Sequence, residues 1–97
     1  MVKHIVMWDV KEEVDDKAAA MLKVKELLEG LDHAVEGIIS IKVIINEMDS
    51  SNRDLALISE YEDYEVLEKY QTCEGHVNAG VYIRSVLTNR ACMDYEI

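Results

Sequence analysis

Proline is absent from this 97-residue chain, phenylalanine is absent, and glycine occurs only four times. Without proline- or glycine-rich stretches there is no composition that marks a linker, and neither repeats nor low-complexity tracts break the sequence. A single domain over residues 1–97 is therefore expected, since domains commonly run to about 100–150 residues. Basic residues are also scarce: 10 against 20 acidic ones give a net charge of −10. That field repels a polyanion, and no basic stripe interleaved with aromatics offsets it locally, so nucleic acid is not an expected partner. No run approaches the roughly 20 apolar residues of a membrane span, and the opening MVKHIVMWDV lacks the cleavage site of a signal peptide. The two cysteines, Cys73 and Cys92, have no CxxC spacing. A cytoplasmic protein with two free thiols, and no membrane, metal or cofactor requirement, is the expectation.

What is present is a chain that is 49% hydrophobic and 31% charged, which suits a globular fold. Val2 to Val10 alternates as a strand, with His4, Val6 and Trp8 on one face and Ile5 and Met7 on the other. Asp15 or Asp16 can cap a helix over about Asp16 to Leu31, whose stripe is Ala20, Met21, Val24, Leu27, Leu28 and Leu31. A β-branched run, Ile38 to Met48, follows, with Ile39, Ile41, Val43 and Ile45 on one face and Ile38 and Ile44 on the other. The polar DSSNRD turn leads to a third strand, Leu55 to Tyr61. A helix through EDYEVLEKYQ, a second helical segment over about Glu74 to Thr88, and a terminal strand RACMDYEI complete the chain. Val77, Ile83, Val86 and Leu87 are the apolar candidates of that second segment.

The order β-α-β-β-α-β is the split arrangement of an α+β, ferredoxin-like fold with a four-stranded antiparallel sheet. Its first strand belongs in the sheet interior with the last beside it. Helices cover one face only, yet the strands are apolar on both. A second copy of the same sheet is the simplest cover, so a homodimer is expected.

Several stretches resemble the stress-responsive A/B-barrel (Dabb) family: MVKHIVMWDVKEE, the Gly37-Ile38 entry into the second strand, HVNAGVYIRSV and the terminal MDYEI. The resemblance spans nearly the whole chain and implies a dimeric α+β barrel. Similarity to olivetolic acid cyclase, a plant member that closes and aromatises a polyketide chain, is distant. It implies roles for a histidine and a tyrosine in the segment matching Tyr70 to His76, and for a first-strand histidine near the position of His4. The family's His-Pro-x-His pattern reads Cys73-Glu74-Gly75-His76 here, without the first histidine and the proline.

On an unbroken helix Tyr70 and His76 would diverge by roughly 120° and sit about 9 Å apart along the axis. Their pairing needs a kink at Cys73–Gly75, which Gly75 can allow and Thr72 can cap. With a kink, a neutral imidazole could take a proton beside a carbonyl, a phenol could stabilise the oxyanion, and His4 could orient the ligand. The structural readings stand beside these: His76 starting a helix, Tyr70 in a core, His4 as an interior histidine. Acid–base, cyclase- or isomerase-like chemistry on a small hydrophobic carbonyl ligand is one expected function; non-catalytic binding or a stress-related scaffold is the other.

Overall fold

A computed structural model describes all residues, 1–97. Strand β1 (Val2–Val10) leads into helix α1 (Lys17–Glu29), then strands β2 (Ile38–Ile45) and β3 (Leu55–Tyr61). Helices α2 (Tyr64–Thr72) and α3 (Glu74–Val86) precede strand β4 (Leu87–Glu96). The sheet order is β2-β3-β1-β4, with every neighbouring pair antiparallel. This is the expected ferredoxin-like α+β arrangement, with β1 and β3 interior.

Alternation along β1 buries Val2, His4, Val6, Trp8 and Val10 beneath the helices. Asp16 caps α1 by accepting from the Ala19 N–H at 3.0 Å, and Ala20, Val24 and Leu28 form the buried stripe. Asp63 caps α2 in the same way, through the Val66 N–H. The outer edge of β2 is occupied by α1: Glu29 Oε2 accepts from Val43 N–H at 2.9 Å, while Lys25 Nζ donates to Val43 C=O at 2.8 Å. The Val43 N–H and C=O, which face outward on this edge, are thus partnered within the chain.

Four local expectations are corrected. The second strand ends at Ile45 and changes phase at its start, where a register shift lies between Ile38 and Ser40. Ile38 consequently packs against the core, while Ile39 is exposed. The last strand begins at Leu87 rather than Arg90, since the helix stops at Val86. Within α3, Ala79 is the buried residue and Val77 is exposed, since the side facing the core is the one that carries Ala79 with the partly buried Tyr82, Ile83 and Val86.

Gly37 is required where β2 begins. Its φ is +100°, and a Cβ there would lie 2.7 Å from Val66 Cγ2.

Candidate functional site

The helix break between Tyr70 and His76 occurs at Cys73, whose φ of −68° and ψ of 152° are extended. Thr72 does not cap the second segment: its hydroxyl turns back to the carbonyls of Glu68 and Lys69, and α3 has no side-chain cap. Gly75 serves close approach, since a Cβ would meet Leu31 Cδ2 at 2.6 Å. Its missing side chain lets the start of α3 lie against the segment that follows α1. The break brings the Tyr70 and His76 rings edge to face, with centroids 4.7 Å apart.

These rings continue into the sheet. Tyr70 packs on Tyr61 at 5.4 Å, and Tyr61 lies 6.4 Å from His4. The Tyr61 hydroxyl donates to Ser59 Oγ at 2.9 Å, and Ser59 donates to the His4 carbonyl at 3.4 Å. On the other side of β1, His4 Nδ1 hydrogen-bonds Asp94 Oδ1, its cross-strand neighbour. Cys92 Sγ is 3.8 Å from both groups. His4, Cys92 and Asp94 are the donor set grouped closely enough to hold a metal ion, although the histidine and carboxylate already satisfy each other.

A cavity of about 330 Å³ opens beside this cluster, between the sheet and α3. Its floor is apolar, with Val6, Trp8, Leu28 and Leu57 from beneath and Ile83 from the helix, and His4 and His76 both stand at its wall. This volume falls at the lower end of the roughly 300–1,000 Å³ typical of small-molecule sites. Tyr70 is not at the wall. It lies fully buried behind His76, and its hydroxyl has no hydrogen-bond partner.

Burial holds His76 below the ordinary histidine value; the Gln71 backbone opposes this, while the charges of His4, Arg90 and Arg84 add to it. The imidazole is therefore neutral at pH 7, the form that accepts a proton. Burial raises the Tyr61 phenol to about 12, and raises that of Tyr70 as well, with Tyr61 adding to the effect. Burial and the Asp94 carboxylate push the Cys92 thiol up, so it carries little thiolate.

Sequence reasoning missed Asp94, Tyr61, Arg84 and Arg90. Asp94 was hidden because its pairing with His4 depends on a bulge: Met7 pairs with Ala91, but Asp9 pairs with Thr88. Asn89 sits at that bulge with φ of 56°, donating its side-chain N–H to Asp9 Oδ2 at 2.8 Å. His33 is exposed in the loop after α1, remote in role from this cluster.

The βαββαβ sheet and its cavity define a ferredoxin-like α+β protein. The chain belongs to the stress responsive A/B barrel domain family, whose pattern matches residues 2–97. It is similar to a dimeric protein of unknown function and ferredoxin-like fold from Bacteroides fragilis, at 32% identity and TM-score 0.89, covering 99% of this chain and 95% of that one. A dimeric ferredoxin-like protein from Thermobifida fusca aligns at 18% identity and TM-score 0.86, over 99% and 90% of the two chains. A putative antibiotic biosynthesis monooxygenase from Nitrosomonas europaea shares the fold at 15% identity and TM-score 0.80, over 100% and 98%. No protein of curated function matches the chain.

Proposed function

We propose that this chain forms a homodimer and binds a small apolar carbonyl compound in the cavity beside α3, where His76 exchanges a proton with it. The observation that carries this reading is the pairing of two imidazoles, His4 and His76, at the wall of an apolar chamber of about 330 Å³. A neutral, half-buried His76 is suited to removing a proton adjacent to a carbonyl. His4, oriented through Nδ1 by Asp94, faces the same chamber and would orient the ligand from the sheet side. Tyr70 backs the His76 ring and fixes its orientation. Its part in the chemistry is positioning.

The homodimer rests on the sheet face opposite the helices. Ile58, Ile5 and Met93 stand side by side there, with Ala56, Met7 and Ala91 in the next row. Met7, Ile44 and Met93 are exposed on this face, and the relatives from Bacteroides fragilis and Thermobifida fusca are dimeric. A second copy of the sheet is the self-complementary cover.

Deuterium uptake by 2-octanone in D2O, followed by NMR, tests the chemistry. Exchange at the carbons flanking the carbonyl should accelerate with protein and fall to background with His76→Asn. Full acceleration by the variant overturns the acid–base role.

The buried Tyr70 favours a second reading, a cavity that binds without turnover. Saturable binding of 2-octanone, with no exchange above background in the wild type, selects it.

A further inference from the structure

The cavity is cationic in a chain that is strongly acidic. Acidic residues outnumber basic ones 20 to 10 overall, yet no carboxylate lines the chamber, while the exposed Arg84 and Arg90 stand at its rim. Neither arginine takes part in an ion pair, although lysines form three elsewhere in the molecule, Lys3–Glu60, Lys25–Glu29 and Lys69–Glu65. In a protein with twofold excess acid, two guanidiniums and no carboxylate in one lining set that opening apart from the average field of the molecule.

Both are placed by specific backbone devices. Arg84 lies over Gly80, where a Cβ would come within 3.0 Å of Nη1; Gly80 itself lines the cavity, so the absent side chain makes room for the guanidinium there. Arg90 follows the β4 bulge at Asn89, whose extra residue resets the alternation of the strand. Beneath these groups, the buried Trp8, Leu57 and Leu87 contribute hydrocarbon and ring surface to the lining.

We propose that the cavity's ligand is an amphipathic anion, a medium-length apolar chain bearing a carboxylate that Arg84 and Arg90 hold at the rim while the chain occupies the floor. This rests on the cavity being the ligand site. A guanidinium fork matches a carboxylate in shape and charge, and its hydrogen bonds are charge-assisted. The volume limits the buried part to a short chain, so that a larger group would remain outside the rim.

Trp8 is the one tryptophan of the chain and lines the cavity, so its fluorescence reports occupancy directly. Sodium octanoate, 1-octanol and octylammonium chloride, titrated at pH 7.5, share one chain length and differ in head charge. Octanoate should bind about tenfold or more tightly than octanol, with octylammonium weakest. Arg84→Met and Arg90→Met, both at exposed positions, should each reduce the ratio of octanoate to octanol affinity and together abolish the preference. Circular dichroism checks that the variants keep the fold. Octanol binding as well as octanoate, or a preference that survives both substitutions, overturns the anionic assignment alone. Absence of any Trp8 response to all three probes overturns the cavity as a ligand site, and the proposed function with it.

Discussion

His76 shows how burial converts a common residue into a proton acceptor with a defined pH signature. Its folded value is depressed, chiefly by desolvation, so the unfolded chain binds the proton more readily. Stability from this group is therefore complete above the ordinary histidine value of 6.5, and is lost as pH falls below it through the depressed folded value. Urea midpoints measured from pH 7.5 downward should fall in the wild type, and His76→Gln should remove His76's share of that slope. Tyr70 makes a complementary case. Its hydroxyl is buried without a partner, and a buried polar group left unsatisfied costs about 1–3 kcal/mol. Tyr70→Phe should therefore unfold at the same or higher urea concentration than wild type, by up to about 1 kcal/mol. A clear loss of stability would mean that the phenol has a partner.

At the scale of elements, the site is assembled by interruptions rather than by regular structure. The extended Cys73 ends one helix and lets the next start at a new angle, which brings His76 onto Tyr70. A kink in this place was legible from the spacing of Tyr70, Gly75 and His76, but its capping was not: Thr72 bonds backwards, and glycine acts through contact with Leu31. The phase of β2 was misread at Ile38 and Ile39 because a one-residue shift reverses sidedness without altering composition. Gly37, just before that shift, combines a positive φ with a Val66 contact. Gly37→Ala should cost about 1–2 kcal/mol from backbone strain alone, and more if Val66 cannot move. Thermal melts of the variant against wild type measure it, and an unchanged melting temperature would contradict the need for glycine there.

For the whole molecule, the apolar sheet face beyond the helices is the surface on which the proposed homodimer rests. Met93 is 67% exposed in the single chain and lies beside Ile5 in the register. Met93→Asp should leave the fold intact and place an unpaired charge within a packed dimer interface, a cost of several kcal/mol. Sedimentation at micromolar concentration should find the wild type dimeric and the variant monomeric; a dimer that survives places the interface elsewhere. The net charge of −10 makes the cationic mouth of the cavity a local exception to the molecular field, and its ligand preference should weaken with salt accordingly.

Sequence alone determined the order of elements, a cap for the first helix at Asp15 or Asp16, of which Asp16 serves, and an excess of apolar strand surface, because periodicity and capping chemistry are local properties. It also singled out His4, Tyr70 and His76. Tertiary structure decided which of them reach the cavity: His4 and His76 line it, while Tyr70 stands behind the wall. It decided too that Asp94 meets His4 and that Arg84 and Arg90 ring the mouth. Those relations join residues up to 90 positions apart through strand register and a bulge. Register depends on the packing of the whole sheet, so no stretch of local sequence encodes it.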